Sequence, residues 1–260
     1  MSATPVLALR GISKRFGAVQ ALTDVDLEVR AGEVVALVGD NGAGKSTLVK
    51  TVAGVHAIDD GVIEWGGRPV RIHKPHDAQE LGIATVYQDL SLCDNLDVVG
   101  NLFLGQEIRT VGVLDEVEME RRSRELLTTL SIRIPSVRIP TASLSGGQRQ
   151  TVAIARSLLG DPKLVILDEP TAALGVEQTA QVLDLVERLR ERDHAVLLIS
   201  HNMEDVKAVA DRVAVLRLGR NNGVFDVATT TQEEIVAAIT GATDNAVTRR
   251  SARGSAEAAK

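Results

Sequence analysis

The sequence predicts an α/β protein in which a mostly parallel sheet is covered by helices on both faces. Three observations favour this class: the chain is 44% hydrophobic, short apolar runs of strand length recur along it, and helical patterns separate several of these runs. The runs are Val34–Val38, Ile83–Val86, Leu164–Leu167, Val196–Ile199 and Val213–Leu216. Strands that alternate with helices form parallel sheets that are buried on both faces.

Two helical patterns are clear from the spacing of apolar residues. In the first, one face at i, i+3, i+4 and i+7 is formed by Val182, Leu185, Val186 and Leu189. The second begins after Asp115 as N-cap, and its apolar face is formed by Met119, Leu126, Leu127 and Leu130. This second helix belongs to a predicted α-helical insertion of about residues 89–160, which we call the helical subdomain.

The N-terminal region has a different pattern. Short strands without an intervening helix are expected at Val6–Arg10, Val25–Val29 and Gly61–Pro69, with a turn at Gly66 and Gly67. We therefore expect a small antiparallel β subdomain next to the parallel sheet. The whole of residues 1–241 is predicted to form one domain, and residues 242–260, which lack periodicity, to form a disordered tail.

Composition excludes several functional classes. A formal net charge of −6 and an aromatic content of 2% lack the basic surface and the stacking platforms of nucleic-acid binders, so no nucleic-acid partner is expected. The single cysteine, Cys93, allows no intrachain disulfide and favours a reducing compartment. Because no leader-like start and no apolar run of about 18 residues occurs, we expect a chain that is neither secreted nor membrane-spanning.

The segment Gly39–Thr47, Gly-Asp-Asn-Gly-Ala-Gly-Lys-Ser-Thr, has the spacing of a phosphate-binding loop. It follows the strand Val34–Val38 and precedes a helical run, which is the context that such a loop requires. Glycines let backbone amides face the phosphates, Lys45 neutralises the β and γ oxygens, and the Ser46 hydroxyl holds Mg²⁺. The predicted nucleotide-binding residues here are Gly39, Asn41, Gly42, Ala43, Gly44, Lys45, Ser46 and Thr47. The alternative is a glycine-rich turn that binds nothing.

Two carboxylates end the apolar run Leu164–Leu167. Such strand ends lie at the carboxyl edge of the sheet, where α/β proteins bind ligands. We expect Asp168 to orient Mg²⁺ and Glu169 to polarise the attacking water as general base. Without a neighbouring phosphate-binding loop, two carboxylates at the end of a strand would also be typical of a solvent-exposed turn. Together with the phosphate-binding loop this pattern predicts a phosphate-loop NTPase.

A second motif that suits an anion lies at Leu144-Ser145-Gly146-Gly147-Gln148, at the start of a helical stretch. One chain has one ATP site, which needs only one phosphate-binding motif. We therefore expect Ser145, Gly146, Gly147 and Gln148 to bind the ATP of another subunit. The alternative is a helix-capping turn.

This order of motifs resembles the ATPase subunit of ABC transporters over almost the whole chain, up to about Gly241, and LSGGQ is that family's signature sequence. The resemblance implies that Phe16 stacks on adenine, although that position is more often Tyr. It implies that Gln88 ligates Mg²⁺ and senses the membrane partner, and that His201 contacts the γ-phosphate. ATP and Mg²⁺ are then the expected ligands. The metal ligands are Ser46, Gln88 and Asp168, and the catalytic residues are Glu169 and His201.

One position departs from the family pattern. After Pro170-Thr171-Ala172-Ala173-Leu174 the family usually places an Asp that bridges the dimer interface, and this chain has Gly175. We interpret the change as a modified interface with altered communication between two ATP sites, since Glu169 and His201 are both present.

Further segments resemble the single-domain members of the monosaccharide-importer branch, the ribose, xylose and fructose type. They are Asp77–Ile83, Val86–Gln88, Asn101–Glu107 and Leu216–Arg220. The implied function is ATP hydrolysis that powers sugar import at the cytoplasmic face of the membrane, as a peripheral subunit. Implied partners are membrane permease subunits, a second copy of the ATPase and, indirectly, an extracytoplasmic sugar-binding protein. No residue indicates which sugar is carried.

Three alternatives remain open. A non-transport ABC ATPase acting on DNA or ribosomes usually has coiled coils or two fused ATPase halves, which this chain lacks. A regulatory ATP-binding subunit with weak hydrolysis is motivated by Gly175. A metabolic kinase leaves Leu144–Gln148 unexplained.

The stretch between Asp89 and Arg109 is too apolar for a solvated loop. Its apolar residues are Leu90, Leu92, Leu96, Val98, Val99, Leu102, Phe103 and Leu104. We expect some of them to form an exposed groove that binds a permease helix, headed by Gln88. The alternative is that they fill the core of the helical subdomain.

Overall fold

A computed structural model describes residues 4–242 of the chain, so most of the predicted tail, residues 243–260, lies outside the described residues. The strands are β1 Leu7–Phe16, β2 Val19–Val29, β3 Val34–Val38, β4 Asp60–Trp65, β5 Arg68–Val70, β6 Ile83–Val86, β7 Arg109–Thr110, β8 Val113–Leu114, β9 Leu164–Asp168, β10 Ala195–Ile199, β11 Arg212–Arg217 and β12 Arg220–Asp226. The helices are α1 Lys45–Val52, α2 Pro75–Glu80, α3 Val98–Phe103, α4 Glu116–Thr129, α5 Gly146–Ser157, α6 Val176–Glu191, α7 Met203–Val209 and α8 Gln232–Thr240, with a 3₁₀ turn at Thr141–Ser143.

Within residues 4–242, the main sheet has the strand order β12-β11-β3-β10-β9-β6 and is parallel except for β12. Both of its faces are buried, and side chains alternate between them as the strand period requires. On β3, for example, Val34, Ala36 and Val38 pack into one apolar cluster, with the helices α3 to α8. Val35 and Leu37 pack into the other, with the N-terminal sheet, α1 and α2. The predicted α/β class is therefore confirmed.

The N-terminal sheet is antiparallel, with the order β2-β1-β4-β5. Its hairpin between β4 and β5 turns at Gly66 and Gly67, whose φ angles of 56° and 76° are those that this tight turn demands. β1 and β2 are longer than predicted because their outer halves are half-exposed and lack the apolar alternation used to find them. The predicted antiparallel β subdomain is confirmed.

The helices α3, α4 and α5 lie between β6 and β9 in the chain and form the helical subdomain. Asp115 caps α4 as predicted, because its Oδ1 accepts a hydrogen bond from the backbone N–H of Glu118 at 3.0 Å. None of the helices among the described residues is long and apolar enough to cross a bilayer.

The alternative, that the apolar residues of the stretch between Asp89 and Arg109 fill the core, holds for half of them. Val98, Val99, Leu102 and Phe103 are at most 4% exposed. They lie on α3 and pack in the core shared with α5, since a six-residue helix with apolar residues on most of its faces must be buried all round. Leu90, Leu92 and Leu96 are half-buried, and Leu104 is the one of these eight apolar residues that is exposed, at 44%.

One buried amide holds the helical subdomain together. Asn101 on α3 is fully buried, its Oδ1 accepts from the Cys93 backbone N–H at 2.7 Å, and its Nδ2 donates to the Cys93 carbonyl at 2.9 Å. Thr141, also fully buried, donates to the same carbonyl at 2.9 Å. Hydrogen bonds of Asn101 and Thr141 thus join α3 and the turn before α5 to the backbone of the same residue, Cys93.

We predict that Asn101→Ala lowers the free energy of unfolding by about 2 kcal/mol, because it leaves the half-buried Cys93 N–H without its partner and removes the bonds of the buried amide. Urea denaturation followed by circular dichroism measures the change. Asn95→Ala, at an exposed position in the same loop, is the control and should change stability by less than about 0.5 kcal/mol. Equal effects of the two substitutions would contradict the role of Asn101.

Candidate functional site

Strand register brings three loops to one edge of the main sheet. Ile199 at the end of β10 pairs with Leu37 of β3 on one side and with Asp168 of β9 on the other. Parallel strands in this register end at the same level, so the segments that follow all three lie side by side. These segments carry the phosphate-binding loop, Glu169 and His201.

The phosphate-binding loop has positions that only glycine can occupy. Gly39, with φ of 150°, would place a Cβ 2.2 Å from the carbonyl oxygen of Leu216. Gly44, with φ of 104°, would place one 2.8 Å from the carbonyl oxygen of Ala21. The loop is therefore clamped between β2 and the end of β11, which keeps its backbone amides in one arrangement.

The helix α1 starts directly after this loop. Its N-cap is Gly44, which offers no side-chain cap, so the first amides of the helix remain available to an anion. Lys45 is 8% exposed, and its Nζ donates to the carbonyl oxygens of Gly39 at 2.6 Å and Asp40 at 3.1 Å. Its positive charge is thus directed into the loop. Ser46, the next residue, is exposed.

Asp168, the last residue of β9, is half-buried. Burial raises the pKa of its carboxyl group, the negative charge of Glu169 raises it further, and Lys45 and Lys50 oppose both effects. The nearby Asp168 charge and, above all, burial also raise the pKa of the Tyr87 hydroxyl. A cation next to the carboxylate oxygens would stabilise the ionised form of Asp168, which burial and Glu169 disfavour.

Glu169 and His201 are in direct contact. His201 Nδ1 lies 3.1 Å from Glu169 Oε2, with the imidazole 66% exposed and the glutamate side chain 22% exposed. Glu169 has a φ of 50°, a strained value for a residue with a side chain, and its backbone N–H donates to the Ile199 carbonyl at 2.9 Å. The strand end thus fixes the carboxyl group beside the histidine at the open edge of the sheet.

Two further predicted residues, Phe16 and Gln88, are exposed. Phe16, at the end of β1, is 42% exposed, and its ring packs edge-on against His56 with centroids 5.0 Å apart. Lys14 Nζ lies 5.4 Å from the same ring centroid. Gln88 follows β6, the neighbour of β9, by two residues and is exposed.

The predicted signature residues lie apart, at the start of α5. Ser145 Oγ accepts from the Gln148 backbone N–H at 3.2 Å, and Gln148 Oε1 accepts from the Ser145 N–H at 3.0 Å, which is a capping box. Gly147 leaves no room for a Cβ, which would lie 2.8 Å from the Cβ of Gln178. Within residues 4–242, no hydrogen bond or ion pair joins Ser145, Gly146, Gly147 or Gln148 to the phosphate-binding loop.

Two residues that hold the phosphate-binding loop in place, Leu216 and Gly219, are not predicted by the sequence to contact it. The turn between β11 and β12 supports the loop, because the Gly219 N–H donates to the Ala43 carbonyl at 3.0 Å and Leu216 lies against Gly39. The pair Leu218-Gly219 signals a tight turn, but nothing in the sequence tells which loop that turn contacts.

Comparison with known proteins places the chain among transport ATPases. Residues 22–172 match the family model described as "ABC transporter". The chain is 43% identical to the fructose import ATP-binding protein FrcA of Rhizobium meliloti, over 93% of this chain and 96% of that protein. It is 45% identical to the xylose/arabinose import ATP-binding protein XylG of Sulfolobus acidocaldarius, over 83% of this chain and 86% of that protein.

A longer relative is matched over part of its length. The chain is 46% identical to the ribose import ATP-binding protein RbsA 1 of Rubrobacter xylanophilus, over 83% of this chain but only 43% of that protein. The resemblance to the single-domain form of this branch is therefore confirmed by FrcA and XylG, whose lengths the chain spans almost completely.

Solved structures share the fold. The structure of cbiO1 from Clostridium perfringens, part of the ABC transporter complex cbiONQ, has a TM-score of 0.77 at 27% identity over 90% of this chain and 93% of that one. The ATP-binding cassette MJ1267 of an ABC transporter, in its ADP conformation, has a TM-score of 0.77 at 24% identity over 91% and 95%. The family match, the identities to full-length relatives and the shared fold agree, and the chain belongs to the ABC transporter family as one of its ATP-binding subunits.

Proposed function

We propose that this chain hydrolyses ATP and thereby powers the import of a monosaccharide through a membrane permease. The observation that carries the proposal is the convergence of the phosphate-binding loop, Asp168 and the Glu169–His201 contact at one sheet edge. Support for the sugar comes from the relatives, which are named for the import of fructose, xylose or arabinose, and ribose.

The residues at this edge fit ATP with Mg²⁺. The fixed loop amides, the uncapped start of α1 and Lys45 suit the phosphates, and the exposed face of Phe16 suits adenine. Oxygen ligands for Mg²⁺ are the Ser46 hydroxyl, the Gln88 amide oxygen and the Asp168 carboxylate, a donor set that hard cations prefer. When bound, Mg²⁺ neutralises charge on the β and γ oxygens.

In hydrolysis, Glu169 accepts the proton of the attacking water. Its carboxyl group is held at the sheet edge by the strained turn after β9, so it needs little rearrangement to act. His201, whose Nδ1 lies 3.1 Å from Glu169 Oε2, orients that carboxyl group and presents the other side of its exposed ring to the γ-phosphate. Lys45 offsets the negative charge that accumulates on the transferred group.

A second copy of the chain completes the site. The start of α5, with Ser145, Gly146, Gly147 and Gln148, is not joined by any described contact to the phosphate-binding loop of its own chain. Its glycines and helix N-terminus suit a phosphate of the other copy's ATP. Gly175 caps α6 next to it, and a Cβ there would meet nothing within 4 Å, so the departure from the family pattern leaves space at the interface and does not distort the fold.

The permease contact is proposed for a cleft between the main sheet and the helical subdomain. This cleft has a volume of about 590 Å³, and its lining includes Tyr87, Leu90, Leu104 and Arg156. It lies beside Gln88, which joins β6 to this region, so a permease segment seated there would reach the proposed Mg²⁺ ligand. The chain then sits as a peripheral subunit at the cytoplasmic face, and the extracytoplasmic sugar-binding protein acts only through the permease.

We predict that Glu169→Gln lowers the ATPase kcat by about 10² to 10⁴-fold while nucleotide affinity is retained, because an amide cannot accept the proton. Steady-state phosphate release and nucleotide titration measure the two quantities, and size-exclusion chromatography with ATP should show a trapped dimer. Glu191→Gln, at an exposed acid at the far end of α6, is the control and should keep normal turnover. Normal turnover by Glu169→Gln would remove Glu169 as the base.

We also predict that Leu104→Glu abolishes co-purification with the permease while the ATPase activity of the isolated subunit is kept, because Leu104 is exposed in the lining of the cleft. Val111→Glu is the matched control: Val111 is 98% exposed on the same subdomain but does not line the cleft. Pull-down from membranes that contain the tagged subunit measures binding. Retained binding by Leu104→Glu, or equal loss by both variants, would contradict the assignment.

A further inference from the structure

A buried acid, Asp205 on α7, joins the loop after Glu169 to the loop after His201. Asp205 is 5% exposed. Its Oδ2 accepts a hydrogen bond from Thr171 Oγ1 at 2.6 Å, and its Oδ1 accepts one from Asn202 Nδ2 at 3.0 Å. Thr171 stands two residues after Glu169, and Asn202 directly follows His201.

Stability explains this acid only in part, through its place in the first turn of α7, where the helix dipole favours a negative charge. Among residues 4–242, no lysine, arginine or histidine forms an ion pair with Asp205, whose side-chain partners are a hydroxyl and an amide. Burying a carboxyl group without a cation costs free energy that neutral hydrogen bonds only partly return. An acid kept in such a place indicates a role that an apolar residue cannot perform.

The loop after β9 needs an external support of this kind. Glu169 and Ala173 have φ angles of 50° and 60°, in the left-handed region that residues with side chains disfavour. Such strain persists only where the surroundings determine the conformation. Inside the loop, Ala172 N–H donates to the Glu169 carbonyl at 3.2 Å and Leu174 N–H to the Thr171 carbonyl at 3.2 Å, and the short Thr171–Asp205 bond fastens this turn to α7.

The other oxygen of Asp205 fastens the second loop to the same helix. Asn202 is also the N-cap of α7, because its Oδ1 accepts from the Glu204 backbone N–H at 2.9 Å. The residue that follows His201 is therefore held by two side-chain bonds. One carboxyl group thus holds both loops, and the side chains of Glu169 and His201 at the start of these loops lie 3.1 Å apart.

We infer that Asp205 is a positioning residue that sets the distance between the general base Glu169 and His201. The inference rests on the proposed ATPase function. Asp205 has no contact with the phosphate-binding loop among the described residues, so its removal should lower kcat and leave the KM for ATP and nucleotide affinity unchanged. A residue that only stabilises the fold would change the melting temperature without this split.

The test uses two matched pairs of variants in the full chain. Thr171→Val removes the hydroxyl at nearly constant size, whereas Thr171→Ser keeps it. Asp205→Leu removes both hydrogen bonds, whereas Asp205→Asn can accept from Asn202 through its oxygen and donate to the Thr171 hydroxyl through its nitrogen. We expect kcat to fall about 10-fold in Thr171→Val and up to about 100-fold in Asp205→Leu, with recovery in both conservative variants. Thr171 is half-buried, so its pair gives an answer even if Asp205→Leu fails to fold.

Double variants distinguish an effect of Thr171 that acts through Glu169 from a loss of activity that is independent of Glu169. If Thr171 acts through Glu169, adding Thr171→Val to Glu169→Gln should not slow the residual single-turnover rate further. Unchanged kcat in Thr171→Val, or additive losses in the double variant, would overturn the inference while wild-type turnover still supports the ATPase. A wild-type chain without ATPase activity would instead refute the proposed function itself.

Discussion

The register of three buried parallel strands is the constraint on which the site depends. β3, β10 and β9 are neighbours, and Leu37, Ile199 and Asp168 lie at one level across them. The apolar side chains of these strands are almost fully buried on both faces of the sheet. A shift of one residue in the pairing of a strand would move the side chains that pack in one apolar cluster to the opposite face of the sheet. The phosphate-binding loop, Glu169 and His201 are together because hydrophobic packing fixes this register.

The polar groups at the edge are then supported from outside the sheet. The end of β11 and the turn after it hold the phosphate-binding loop through Leu216 and Gly219, and α7 holds the two catalytic loops through Asp205. These supports follow the site in the chain, whereas β2, which lies against Gly44 on the other side of the phosphate-binding loop, precedes it. The geometry of the site therefore depends on elements from both sides of its motifs in the sequence.

Much of this could be predicted from the sequence, because the strongest signals are local. The runs for β3 and β6 were predicted with the observed bounds, and those for β9, β10 and β11 within one residue at each end, since buried strands are continuous apolar runs with polar boundaries.

Other features were not predicted. The hairpin β7–β8 was missed because its strands are short, and the edge strand β12 because its half-buried residues alternate with exposed ones. Phe103 was misplaced because an apolar residue in an insertion has the same sequence pattern in a groove and in a core. Asp205 gave no signal for its bond to Thr171, 34 residues away, because only the fold brings these two side chains together.

In the proposed dimer, each ATP is hydrolysed between the phosphate-binding loop of one copy and the α5 start of the other. Mixing two inactive variants, Lys45→Ala and Ser145→Arg, tests this arrangement: the first keeps an intact α5 start, the second an intact phosphate-binding loop. In mixed dimers one complete site forms, so an equal mixture should recover up to about a quarter of the wild-type ATPase rate if the two sites act independently. A mixture as inactive as its components, with dimer formation verified by size-exclusion chromatography, would contradict the shared site.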